Sequence, residues 1–237
     1  ALNMLLHSYD MRKLEGDQYG ISRALMNIGS NYMMSGDYDN AEDYMKQALA
    51  LQKGLGDREG IAKSMNNLGS IRKSFGDYEG AIELQKKALK INEELNIKIS
   101  LARCCNNIAS SYIALEQYDR AKEFIVRGIE VREEIGDRQG LGSSFSNMGQ
   151  VCFDLGDMEK ATKWFMKSID LAREVKDAAR IGSVLAFLAK IDMKENRLID
   201  AKEKLTEAQE IFIRIQSPTL SQVQKLFEEL NSMSVSG

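Results

Sequence analysis

The chain has 237 residues, of which 43% are hydrophobic and 28% charged, and its formal net charge is −3. That balance is ordinary for a folded protein and provides neither a basic field to draw in nucleic acid nor an acidic block of the disordered-tail kind. No apolar run reaches the roughly 18 residues of a membrane span, no charged-then-apolar signal layout opens the chain, and a single proline fits a chain that is helical almost end to end.

In chain order, residues 1–15 start at Ala1, in register with Ala41, and predict one helix without its partner. This half repeat is either a cap or the edge of a longer array, and the edge is expected because His7, Tyr9 and Met11 do not compose a polar outer face. A 40-residue step then governs everything. Gly16-Asp17, Gly56-Asp57 and Gly136-Asp137 form one series, with Asn96-Ile97 and Lys176-Asp177 in its other places. Gly36-Asp37, Gly76-Asp77 and Gly156-Asp157 form a second, with Glu116-Gln117 and Asn196-Arg197 completing it. Glycine just past a helix takes the left-handed conformation that ends it, and aspartate beside it caps the next helix. Each pair is therefore a helix–turn–helix corner. Between corners the apolar residues have helical spacing, as in Leu25, Ile28 and Tyr32, then Ala41, Tyr44, Met45, Ala48 and Leu49. Small residues recur where helices must approach: Gly29, Gly69, Ala109, Gly149 and Ala189 on the first helix of each pair (A), and Ala41, Ala81, Ala121, Ala161 and Ala201 on the second (B). The predicted units are helix pairs over about 18–55, 58–95, 98–135, 138–175 and 178–215. Ser217-Pro218 reads as an N-cap with proline in the first helical position. It opens a capping helix over 217–231, striped by Leu220, Val223, Phe227 and Leu230. Residues 232–237 are expected to form a disordered tail, and 1–231 a single stacked array, since one helix pair cannot bury its apolar face alone.

This pattern resembles the tetratricopeptide repeat family, whose helix A carries a large apolar residue, then Leu-Gly, then Tyr, and whose helix B carries Ala, an aromatic, then Ala. Leu25, Ile28-Gly29, Tyr32, Ala41, Met45 and Ala48 fill those places, as do Met65, Leu68-Gly69, Ala81, Gln85 and Ala88, with Arg72 in place of the tyrosine. The family's usual repeat is nearer 34 residues and often closes with proline. The longer, proline-free form looks like the subgroup in Pins-type polarity adaptors, kinesin light chains and prokaryotic sensory arrays. The resemblance implies an all-α, right-handed α-solenoid with its A helices on a concave inner wall.

On that wall the polar positions of helix A lie three and four residues apart, on one stripe: Arg23, Asn27 and Ser30, then Lys63, Asn66, Asn67 and Ser70, then Arg103, Asn106, Asn107 and Ser110, then Ser143, Ser146, Asn147 and Gln150. Asn27, Asn67, Asn107 and Asn147 form a column whose amides offer donors and acceptors to the peptide groups of an extended ligand. The same amides can instead bond to the neighbouring helix and set the stacking. Arg23, Lys63 and Arg103 form a basic column that favours a carboxylate-bearing ligand. Tetratricopeptide domains that hold acidic tails use lysine, arginine and asparagine on helix A, and this chain has those residue types, though not that clamp's order. The alternative is that these cations pair with nearby acids such as Glu59 or Glu15. In the fifth repeat Phe187, Ala186 and Lys190 replace the polar set; either the groove ends there with an apolar pocket or Phe187 packs under the terminal helix, and packing is the expectation.

Enzymatic chemistry is not expected. Residues 56–64 only faintly resemble a phosphate loop, since they lack adjacent Gly-Lys and follow a helix. His7 stands alone, so it builds neither a metal site nor a triad. Cys104, Cys105 and Cys152 have no disulfide or zinc spacing, read as small core residues, and suggest a reducing, cytoplasmic compartment; Trp164 reads as packing. The expected function is a protein- or peptide-binding module, without cofactor or metal, that captures an extended, acid-containing segment of a partner. The alternative is the regulatory region of a larger signalling protein that docks on itself or receives a small peptide. The exposed N-terminal edge leaves room for homo-oligomers.

Overall fold

The structure is a computed structural model that describes residues 2–235. Among these, every regular element is a helix: α1 (Leu2–Glu15), α2 (Gln18–Ser35), α3 (Tyr38–Leu55), α4 (Arg58–Ser74), α5 (Tyr78–Glu94), α6 (Lys98–Ala114), α7 (Tyr118–Ile135), α8 (Arg138–Asp154), α9 (Met158–Glu174), α10 (Ala178–Lys194), α11 (Leu198–Arg214) and α12 (Leu220–Val235). The chain divides into two compact units, 1–124 and 125–237, with the division inside α7. In the first, α2 pairs with α3 and α4 with α5; α3 packs on α4 and α5 on α6, and α4 also touches α2 and α6. In the second, α8 pairs with α9 and α10 with α11, α9 packs on α10, and α12 covers α11 and part of α10.

Corners set these pairings. At Gly36 the backbone is left-handed, with φ 81°, and its N–H donates to the Met33 and Tyr32 carbonyls, while Asp37 accepts from the Asn40 N–H. The same conformation persists where glycine is absent, at Asn96 (φ 54°), Glu116 (57°), Lys176 (57°), Asn196 (60°) and Gln216 (51°). Ile97 and Arg197, which stand where other corners have aspartate, supply no side-chain cap.

Within a hairpin the small residue of helix A lets a large B side chain reach across. A Cβ on Gly149 would come within 2.8 Å of the Phe165 ring. The slot that Phe165 fills recurs as Met45, Gln85, Ile125 and Leu205, all buried. Between hairpins, polar rungs join the end of one B helix to the next A helix. The Ser64 hydroxyl donates to Gln52 Oε1 at 2.7 Å, and Arg132 Nη1 donates to Ser144 Oγ at 2.8 Å. Asn92 Nδ2 donates to Cys104 Sγ at 3.5 Å. One and two steps beyond Arg132 the rung turns apolar, at Ala172 and Phe212.

The C-terminal end differs from the sequence expectation. The Thr219 N–H donates to Ser217 Oγ at 3.2 Å, which folds Pro218 and Thr219 into a turn, and α12 starts at Leu220 rather than at Pro218. The helix then runs to Val235, past the expected limit at 231, because nothing from Asn231 onward interrupts it. The remainder of the expected tail, 236–237, lies outside the described residues.

Candidate binding face

The A helices of the first unit, α2, α4 and α6, lie side by side, so their polar stripes adjoin. Two clefts open on this face. The first, of about 450 Å³, is lined by Arg23, Asn27, Gln52, Asp57, Glu59 and Lys63. The second, of about 100 Å³, is lined by Lys63, Asn66, Asn67, Asn92, Arg103 and Cys104. The second repeats the first one step along the sequence, and Lys63 borders both.

The predicted residues separate into two groups. Arg23, Asn27, Lys63, Asn66, Asn67 and Arg103 come together around the clefts. Others are engaged in bonds within or between the helices. Asn107 Nδ2 donates to Asn66 Oδ1 at 3.1 Å, an α6-to-α4 link, and Ser70 Oγ donates to the Asn66 carbonyl at 3.3 Å. Asn107 and Asn106 are only partly exposed. Asn67 keeps its amide partly in solvent, with a long contact of 3.9 Å to Met45 Sδ. Asn147 and Gln150 lie on α8, in the second unit, and are half-buried.

Charge is unevenly distributed. Lys63 pairs with Glu59 at 2.5 Å one helical turn away, the acid foreseen as its alternative partner; such an exposed pair is worth about 0–1 kcal/mol. Asp57 and Glu59 thus offset Arg23 and Lys63 in the first cleft. One repeat on, the equivalents of those acids are Ile97 and Ile99. Arg103 makes no ion pair among the described residues.

Two residues on this face escaped the sequence reading. Lys73 Nζ donates to Ser110 Oγ at 3.1 Å, linking α4 to α6, and burial holds its pKa below the usual lysine value. The signal was a lysine in a column otherwise filled by Met33, Ile113, Phe153 and Met193. Asn92 reaches the floor of the second cleft from α5, a B helix, and so was missed by attention to A helices alone.

In the second unit Phe187 stacks on Phe165 with ring centroids 5.0 Å apart, and meets Phe153 edge-on at 6.2 Å. One side of it also faces a cleft of about 310 Å³ between α10 and α12. Trp164 packs against Phe145 at 5.4 Å. All three cysteines are buried, and burial pushes the Cys104 thiol up to about 12, which keeps it neutral and inert. Among the described residues no cluster of His, Cys, Asp or Glu could hold a metal ion, and no helix is long and apolar enough to cross a membrane.

Comparison with known proteins gives these hairpins a name. The family model described as tetratricopeptide repeat matches residues 20–94 and 101–174, together more than half the chain. No curated protein matches. Solved structures share the fold. BtubC (BKLC) from P. vanneervenii is 17% identical, with a TM-score of 0.72 and 91% of each chain covered. A Rap protein complexed with competence and sporulation factor is 15% identical, with a TM-score of 0.76 over 97% of this chain and 74% of that one. A kinesin light chain of tetratricopeptide-like repeats from Podosopora anserina is 16% identical, with a TM-score of 0.61 over 82% of this chain and 95% of that one. Repeating corners, small-to-large contacts at Gly29, Gly69 and Gly149 and the family match agree: the chain belongs to the tetratricopeptide repeat family, whose stacked helix pairs are protein-interaction modules.

Proposed function

We propose that the face formed by α2, α4 and α6 captures an extended, acid-containing segment of a partner protein. One observation carries this reading: Arg23, Lys63 and Arg103, with Asn27 and Asn67 between them, border two adjoining clefts on helices that touch. Burial of the segment along the A helices supplies most of the affinity. The exposed asparagine amides hydrogen-bond its backbone, and the cations select carboxylates by charge-assisted hydrogen bonds. A random peptide library displayed against the immobilised chain tests it. Selected peptides should be enriched in Asp and Glu, and the double variant Arg23→Ala, Arg103→Ala should bind them about tenfold more weakly, a loss of about 1.4 kcal/mol, with an unchanged thermal midpoint. Enrichment of basic sequences, or indifference to the double variant, overturns the reading.

A second reading is the regulatory region of a larger signalling protein. The similarity to a Rap protein solved with competence and sporulation factor favours it. A full-length reading frame that joins this region to a kinase, cyclase or DNA-binding domain would decide for it.

A further inference from the structure

The two clefts are built on the same plan and differ at the floor. In the first, Gln52 closes the floor with both ends of its amide engaged: Nε2 meets Met26 Sδ at 2.9 Å and Oε1 accepts from Ser64. One repeat on, the rung is Asn92 with Cys104. Asparagine is shorter than glutamine by one methylene, and a thiol is a poorer hydrogen-bonding group than a hydroxyl. Asn92 Nδ2 still reaches Cys104 Sγ, but Asn92 Oδ1 has no hydrogen-bond partner among the described residues although the side chain is only 2% exposed. An acceptor buried without a donor costs about 1–3 kcal/mol. The Asn92 side chain that carries it is part of the lining of the cleft of about 100 Å³.

We propose that this second cleft is a specificity pocket for a primary carboxamide, the side chain of an asparagine or glutamine in the bound segment. Three features favour that group over a charged one. The buried Oδ1 requires an N–H or O–H donor. Lys63 and Arg103 at the border repel a lysine or arginine that would bring one. The Asn67 amide and the Arg103 guanidinium are donors on the same lining, so the entering group should also carry an acceptor. A carboxylate satisfies the donors and leaves Oδ1 facing an anion; a carboxamide satisfies both. The neutral Cys104 thiol adds no charge of its own. This inference rests on the peptide-binding reading, and it adds that the acids of the segment flank a neutral amide.

The test separates the two. The 15N-labelled chain is titrated with N-acetyl-asparagine amide and, separately, with N-acetyl-aspartate amide, while chemical shifts are followed at Asn67, Asn92, Arg103 and Cys104. The asparagine compound should shift these signals at millimolar concentration, with a response at least about fivefold stronger than that of its aspartate counterpart. The double variant Asn92→Gln, Cys104→Ser transplants the closed Gln52–Ser64 rung and so keeps a fold the chain already uses; it should abolish the response. Equal or stronger shifts with the aspartate compound, no response to either, or a response that survives the double variant overturns the pocket. None of these results depends on the library selection, so an acidic segment could still bind without it.

Discussion

Gln85 sits where other repeats place Met45, Ile125, Phe165 and Leu205, fully buried against the Gly69 backbone, and neither end of its amide has a hydrogen-bond partner among the described residues. A buried amide left unpaired costs about 1–3 kcal/mol. Gln85→Met, which keeps the volume, should raise stability by that order in chemical denaturation; a loss would mean that the amide is satisfied in solution. Lys73 is a second polar residue in an apolar column, and burial lowers its pKa. The sign follows from linkage. With the folded pKa below the unfolded value of about 10.4, the unfolded chain binds more protons between the two, so Lys73 makes stability rise with pH across that window. Lys73→Met should therefore unfold at a higher temperature than the native chain near neutral pH, and the gap should narrow as pH climbs toward 10. A gap independent of pH would remove the desolvated charge as its cause. Asn107 belongs with these residues. Its bond to Asn66 makes it a link between helices, whereas Asn27 in the same column is exposed.

At the scale of the element, the corners govern. Glycine and aspartate at a 40-residue step gave away nearly every helix boundary, because the left-handed residue and the cap are local requirements that composition cannot disguise. The corners at Asn96 and Glu116 were readable only by register, since tertiary packing forces a left-handed φ on residues that resist it. That resistance is measurable. Left-handed backbone costs an ordinary L-residue about 1–2 kcal/mol, and asparagine bears it better than glutamate. Glu116→Gly should therefore raise the midpoint of thermal unfolding by about 2–4 °C, and Asn96→Gly by less. Equal gains at both sites would place the strain elsewhere. The start of α12 was misread for a similar reason: Ser217-Pro218 suits an N-cap, but the same serine hydroxyl also closes a turn onto the Thr219 N–H, and sequence alone does not choose between them.

Across the whole molecule, the repeat step told which residues share a face but not how deep that face is cut. The floors of the two clefts differ by one methylene, Gln52 against Asn92, a difference visible only once the B-helix floor is seen beneath the A-helix stripe. The same rung series says where the array is firmest. In stacked repeats, stability is set by each unit and its neighbours. The second unit joins α9 to α12 in one continuous apolar core that holds Phe165, Ile191, Leu205, Phe212 and Val223. In the first unit Met45 clusters with Leu68, and Leu25 with Ala48, while its α4–α5 hairpin carries both Gln85 and Asn92. Helix α1 buries none of its residues. Local opening follows the amount of apolar surface held in each region. Hydrogen exchange should therefore be slowest in α10 and α11, faster in α4 and α5, and fastest in α1. Gln85→Met should slow the exchange of α4 and α5 while leaving α10 and α11 unchanged. If α4 and α5 instead exchange as slowly as α10 and α11 in the native chain, the unpaired amides do not weaken the first unit, and the open floor beneath the second cleft costs the fold nothing.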